Sequence, residues 1–297
     1  MTTYSIRDIE YLTGIQAHTI RIWEQRYNMF CPQRTDTNIR TYNDDELKLL
    51  LNISLLNKAG YRIGHIAKMN AEEMSRHLTK LNVSENIKLE IAIKALTLAM
   101  VELDEGKFDH IFQKAVMQSS FEDVMLQIIY PFLLRIGIMW TTKHINPAQE
   151  HFITNLIRQK IIAAIDSQMV EKKPTSKHFL LFLPENEMHE LGLLFLNYLL
   201  KARCQKVTYL GINVSLKDIE EVINICKPDY LYTILTTSLN QGFLNDYIQK
   251  MSLIVNNGNT CLISGQYVPS LSVKLPHNIK ILPLLPDILE FIDTLNN

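Results

Sequence analysis

From position 178 onward the chain repeats one unit five times, a short apolar run followed by a longer segment. The runs are HFLLFL (178–183), KVTYLG (206–211), YLYTIL (230–235), TCLISG (260–265) and IKILPL (279–284). No hairpin dipeptide joins one run to the next. Helical segments are expected between them, at His189 to Ala202, Leu216 to Cys226, Gln241 to Asn256, a short one after Gly265, and a closing one to Leu295. Strands joined through helical crossovers pair in parallel, so the pattern predicts a doubly wound parallel sheet with helices on both faces. Glu171 to Lys177, polar and containing Pro174, reads as the linker before it.

In an open sheet of this kind ligands bind beyond the carboxyl ends of the strands. The turn after the first run is Pro184-Glu185-Asn186-Glu187-Met188-His189-Glu190-Leu191-Gly192. A carboxylate two residues before a histidine can accept from one ring nitrogen and leave the other for a metal. The glycine three residues later lets a bulky planar group approach the backbone. The same residues also suit a hydrogen-bonded structural histidine at a strand-helix turn. Other chemistries fit this half less well. A hydrolase would need a nucleophile elbow, and there is no GxSxG. A phosphoacceptor receiver would need acidic residues where Thr236 and Thr237 follow the third run.

A chain of 297 residues, 47% of them hydrophobic, can bury a core large enough for two or three domains. No apolar run reaches the roughly 18 residues of a membrane span, and the N-terminus lacks a basic and apolar leader pattern. A soluble, cytoplasmic protein is expected. Cys31, Cys204, Cys226 and Cys261 show no paired spacing, which argues against a zinc site or a disulfide framework. The net charge of -1 leaves room for a small nucleic-acid reader but excludes a generally basic coat.

Local signals in the first seventy residues define such a reader. Ser5 and Asp8 form a capping box for a helix from Ile6 to about Leu12, which Thr13-Gly14 stops. A second helix runs from about Gln16 to Tyr27. Two short helices joined by a tight turn make a helix-turn-helix, whose second helix enters the major groove. Ala17, Ile20, Glu24 and Tyr27 share the side expected to face the domain, and His18, Arg21, Ile22 and Gln25 lie towards DNA. Pro32 begins a hairpin-like loop bearing Arg34, Arg40 and Tyr42, and Asn43 with Glu46 caps a helix from Asp44 to about Lys58. Between Asn70 and Met169 apolar residues recur at helical spacing, which predicts about four bundled helices with breaks near Gly106, Ser119-Ser120 and His144 to Pro147. Within them, nine residues separate Trp140 from Glu150-His151.

The segment carrying Thr19-x-Arg21-x-Trp23-Glu24, Pro32-x-Arg34, Arg40-x-Tyr42 and the Ala59-Gly60-Tyr61 turn resembles the DNA-binding domain of the MerR regulator family, a winged helix-turn-helix. That resemblance implies double-stranded operator DNA as partner. Arg21, Trp23, Arg34, Arg40 and Tyr42 are the implied backbone contacts, and His18 is the implied base reader. Trp140-x9-Glu150-His151 resembles the four-helix bundle cap over the upper face of a corrinoid. The sheet resembles the flavodoxin-like cobalamin-binding domain, through Glu187-x-His189-x-x-Gly192, Thr233-x-Leu235 and Ser264-Gly265.

What the resemblance implies is a three-part multidomain protein of α and α/β class: residues 1–75 the DNA reader, 76–170 the cap, 178–297 the cobalamin domain. Cobalamin would bind with its nucleotide tail threaded into the sheet. His189 would be the metal ligand, oriented by Glu187 with Ser238 continuing the relay. Gly192, Thr233, Leu235, Ser264 and Gly265 would sit around the tail, and Trp140, Glu150 and His151 would lie over the upper face. In the photoreceptor repressors among such proteins, adenosylcobalamin holds a DNA-bound oligomer, a dimer or tetramer, that light takes apart. This chain departs from their pattern with Glu187 in place of the commoner aspartate, Thr141 in place of a histidine, Lys143 in place of a glycine, Thr233 for serine and Ser264 for glycine. Ser264 is expected to add volume beside the tail. Two further readings are a MerR-type regulator whose C-terminal domain senses another ligand or a protein without cobalamin, and a corrinoid-carrying methyltransferase module.

Overall fold

A computed structural model describes residues 3–79, 85–141, 145–168, 175–236, 241–255, 258–265 and 275–295, with the backbone alone at 79, 85–87, 138–141 and 241–243. The chain divides into two compact units, Met1–Leu156 and Ile157–Asn297.

The first unit begins with a strand of two residues, too short for any periodic signal, β1 (Tyr4–Ser5), followed by α1 (Ile6–Thr13) and α2 (Ala17–Tyr27). Ser5 and Asp8 form the expected reciprocal cap, and Gly14, left-handed at φ 69°, ends α1. The strands β2 (Gln33–Arg34) and β3 (Arg40–Tyr42) form a hairpin, and β1 pairs with its inner strand, Tyr4 opposite Tyr42. The helix α3 (Asp44–Lys58) starts at the Asn43–Glu46 box, and the short helices α4 (Ile63–Ile66) and α5 (Ala71–Thr79) follow. Ile9, Leu12, Ile20, Trp23, Tyr4, Tyr42, Leu47 and Leu50 are all buried, which gives the small winged fold a core of its own.

Four helical runs come next: α6 (Glu85–Glu102), α7 (Glu105–Gln118), α8 (Phe121–Val124) continuing through a π-helical turn at Met125–Ile129 into α9 (Tyr130–Thr141), and α10 (Pro147–Asp166). The first break differs from expectation. Gly106 lies inside the first turn of α7, and the chain turns instead at Leu103, left-handed at φ 53°, before Asp104 caps α7 through the Lys107 amide. The break at Ser119-Ser120 is present, with a Ser120–Asp123 box restarting the helix. Gln149, at the start of α10, donates to the Val101 carbonyl of α6 at 3.1 Å.

The second unit is the expected parallel, doubly wound sheet: β4 (His178–Pro184), β5 (Lys206–Val214), β6 (Tyr230–Ile234), β7 (Thr260–Ser264) and β8 (Ile279–Ile281) in the order β5-β4-β6-β7-β8. Every residue of β4 is buried, as a central parallel strand requires. Four helices complete the unit: α11 (Leu191–Ala202), α12 (Leu216–Cys226), α13 (Gln241–Ile254) and α14 (Leu285–Thr294). Leu180, Phe182, Leu231, Leu235, Cys261 and Ile263 pack with Ile219 and Ile223 of α12 and with Leu244, Ile248 and Met251 of α13. On the other face Phe179 stacks on Tyr230 and Tyr230 meets Phe291 of α14, while Arg203 after α11 pairs with Asp293 of α14. The short helix expected after β7 falls outside the described residues. No described helix is long and apolar enough to cross a membrane.

Candidate functional site

The turn between β4 and α11 presents His189 at the carboxyl edge of the sheet. Asn186 adopts a left-handed φ of 67°, and the chain folds back so that the Glu187 amide meets the Pro184 carbonyl. Glu187 is buried at 3% exposure and is bonded through both carboxyl oxygens. Its Oε1 accepts from the His189 amide at 3.1 Å and from His189 Nδ1 at 2.6 Å. Its Oε2 accepts from the amide and hydroxyl of Thr236, at 2.9 and 2.8 Å. Three N–H and O–H donors besides the imidazole suit an acceptor-only carboxylate, and beside a carboxylate the tautomer that satisfies the contact carries its proton on Nδ1 and its lone pair on Nε2. The His189 side chain is 71% exposed, so that lone pair is accessible.

Thr236 was not anticipated in this role. Its signal in the sequence was only a hydroxyl residue just past the third apolar run. What makes it a partner is that β6 lies beside β4, which brings the two strand ends together. Ser238, expected to continue the relay, lies outside the described residues. The next residue, Glu190, is anchored as well: Tyr209 of β5 donates to Oε1 at 2.9 Å and Arg158 of α10 to Oε2 at 2.8 Å. Burial, reinforced by the bond to Glu190, drives the Tyr209 phenol far above its ordinary pKa.

The remaining sheet motifs meet where β6 and β7 end, but not in the arrangement expected. Thr233 pairs with Ile263 and Ile234 with Ser264. Adjacent paired residues point to the same face, so Thr233 and Ser264 project to opposite faces. Thr233 is fully buried, and its hydroxyl has no partner among the described residues. Ser264 is satisfied on the other side, accepting from the Tyr232 hydroxyl at 2.8 Å and donating to the Leu282 carbonyl at 2.6 Å. Ser264 thus stands across the sheet from Thr233. Gly265 is at φ 128°, and a Cβ there would lie 2.0 Å from the Leu235 carbonyl oxygen. Only glycine fits this crossing of β6 and β7. Gly192 occupies the first turn of α11.

In the first unit, His151 Nδ1 lies 3.0 Å from Glu150 Oε2 in the first turn of α10, with the imidazole largely exposed. Trp140 is in the last turn of α9, and its side chain lies outside the described residues.

On α2, His18, Arg21, Ile22 and Gln25 are all exposed and follow the i, i+3, i+4, i+7 stripe of one helix face. Arg34 on the hairpin is exposed and donates to Asn38 at 2.8 Å. Arg40 is half-buried, with its Nε bonded to Glu24 Oε2 at 2.8 Å, which ties the wing to the second helix. Trp23, 8% exposed, and Tyr42, fully buried, pack in the core of this segment rather than standing on its surface, and burial pushes the Tyr42 phenol up to about 12. The side of α2 that carries Ile20 must bury the large aromatic that follows it, and β3 alternates so that Tyr42 points inward.

Residues 4–73 match the model of the MerR HTH family of regulatory proteins, and residues 92–164 match that of a B12 binding domain. A segment similar to MerR-type regulators thus precedes one similar to B12 binding domains in the same chain. Over 271 residues it is 22% identical to the HTH-type transcriptional repressor CarH of Myxococcus xanthus, covering 89% of each chain. It is 25% identical over 229 residues to the repressor CarA of the same organism, covering 76% of this chain and 74% of the relative. Over 73 residues it is 29% identical to the regulator MlrA of Escherichia coli, covering 25% of this chain and 30% of the relative. Among solved structures, the monomethylamine corrinoid protein of Methanosarcina barkeri superposes with a TM-score of 0.53 at 12% identity, over 70% of this chain and 96% of that one. At that identity the match establishes the fold and nothing further.

Proposed function

We propose that this chain is a transcriptional regulator, acting on operator DNA in the cytoplasm, whose DNA binding and self-association are controlled by a bound cobalamin held through His189. The observation that carries the reading is the relay Thr236–Glu187–His189, which fixes the imidazole with Nδ1 protonated and Nε2 free and exposed. Second-sphere carboxylates of this kind orient histidine ligands and raise their basicity. A buried, unpartnered hydroxyl at Thr233 fits a polar group entering the sheet from the strand ends. When bound, a cobalamin would be held by His189 and would supply a cobalt centre whose ligation can change with light or chemistry.

Against that group the chain's own residues have separate tasks. Glu187 and Thr236 hold the His189 ring, and the Glu190 anchors to Tyr209 and Arg158 keep the turn from lifting away from the sheet. Gly265 keeps the ends of β6 and β7 closely packed beside Leu235. By resemblance, Trp140, Glu150 and His151 face the ligand from the helical segment, while Thr141 offers no second imidazole beside Trp140. In the MerR-type reader, His18 and Arg21 face the major groove with Gln25. Arg34 and the free nitrogens of Arg40 meet phosphates from the wing, contacts that position rather than specify. Trp23 and Tyr42 support the reader from its core. A regulator whose ligand binds one assembly better than another shifts the population of that assembly and of its DNA complex. The relatives CarH and CarA are repressors, and the enzyme reading is set aside.

A second reading, a sensor that takes another ligand, is favoured by one observation. Ser264 spends its hydroxyl within the sheet, accepting from the Tyr232 hydroxyl and donating to the Leu282 carbonyl. One experiment separates the two. The protein is mixed in the dark with adenosylcobalamin, freed of excess ligand, and its visible spectrum, size and retention of operator fragments are recorded before and after illumination. Retained colour whose spectrum shifts in His189→Ala is expected. A colourless protein rejects the cobalamin reading, and colour indifferent to His189→Ala rejects the ligand.

A further inference from the structure

Lys94 lies on α6, inside the segment matched by the B12 binding-domain model, yet its ammonium is spent on the DNA reader. Its side chain is 1% exposed. Nζ donates to the Thr13 carbonyl at 2.8 Å and to Ser54 Oγ of α3 at 2.5 Å, and the Ser54 hydroxyl donates in turn to the same carbonyl at 2.6 Å. Thr13 is the last residue of α1, where a helix carbonyl has no partner of its own and where a cation is favoured. Gly14 turns the chain there, and α2 starts at Ala17 with no side-chain cap on its first amides. This turn sets where α2 begins, and Ile20, Trp23 and the Glu24–Arg40 pair hold the rest of the helix. The charged groups facing the ammonium are Glu90 on its own helix, at 3.4 Å and itself paired with Lys58 of α3, and Arg135 of α9.

A buried cation is a poor source of net stability compared with an apolar side chain of the same size, so its use here points to geometry. We infer that Lys94 is a positioning residue for DNA recognition, fixing the helix-turn-helix turn, and with it the reading face of α2, to the helical segment. A displacement of α6 then moves the Thr13 carbonyl directly, giving the sensory segment a route to the reader through one ammonium. The inference rests on the DNA-binding reading of the first unit.

The test uses the full chain, a duplex selected from a random library by the wild-type protein, and the variants Lys94→Met and Ser54→Ala. Folded Lys94→Met should bind that duplex roughly tenfold more weakly, the scale of one charge-assisted hydrogen bond. Its salt dependence should match wild type, because no phosphate contact is removed. Hydrogen exchange at the Gly14 and Ile15 amides should quicken while the β2–β3 hairpin stays protected. If Lys94→Met does not fold, Ser54→Ala removes only the bridging hydroxyl and should move binding and exchange in the same direction. A folded variant of either kind with wild-type affinity and unchanged exchange at the turn overturns the inference. A wild-type protein that selects no duplex overturns the DNA-binding reading itself.

Discussion

Replacing Glu187 with glutamine preserves shape and removes one acceptor oxygen, which makes it a sharp probe of the His189 turn. In the native turn each carboxylate oxygen accepts two donors, one pair from His189 and one from Thr236. The glutamine amide can keep its oxygen towards only one pair. Its NH2 then confronts the other pair, donor against donor, in a site that is almost fully buried. Two hydrogen bonds to a charged acceptor are lost, each worth about 1.5 kcal/mol, so Glu187→Gln should cost about 3 kcal/mol even with no ligand present. For a unit of this size that corresponds to a fall of about 10 °C in the midpoint of its unfolding transition. Loss of this carboxylate should also weaken cobalamin binding by roughly 10- to 100-fold, the usual effect of removing a second-sphere partner. The assays are thermal unfolding of the ligand-free protein by circular dichroism and spectral titration with cobalamin. A Glu187→Gln protein that unfolds within about 2 °C of wild type would refute the four-donor account, since the lost bonds must appear in stability.

Other consequences can be checked as directly. Gly265→Ala, which places a methyl 2.0 Å from the Leu235 carbonyl at a φ of 128°, should destabilise the second unit by roughly 3 kcal/mol or more, measured by urea unfolding. Tyr42→Phe removes a buried hydroxyl that has no partner among the described residues; it should leave stability unchanged or slightly higher and DNA affinity within about twofold in a gel-shift titration. A large loss of DNA binding would restore Tyr42 as a contact. Burial pushes the Lys94 ammonium down to about 8 from an ordinary 10.5. Between these values the unfolded chain holds more protons than the folded one, so wild-type stability should rise with pH from about 8 to 10.5. The rise should approach roughly 3 kcal/mol and be missing in Lys94→Met, compared by urea midpoints across that range.

Much of this protein is written locally. The capping boxes at Ser5 and Asn43, the turn at Gly14 and the repeated apolar runs from His178 are interactions within a few residues, and periodicity reports them faithfully. The His189 turn is legible for the same reason, since Glu187 acts on a ring only two positions away. What the sequence could not reveal depends on which strand lies beside which and on the register between them. Thr236 became the second anchor of Glu187 because β6 neighbours β4. Thr233 and Ser264 were separated to opposite faces by a one-residue offset in strand pairing, and a one-residue offset inverts every side chain. Tyr42 and Trp23 look like surface aromatics in a basic segment until β3 and α2 close over a core that needs their volume. Lys94 reads as one more polar residue on a helix, and only packing 81 positions away from Thr13 turns it into the group that holds the reader in place.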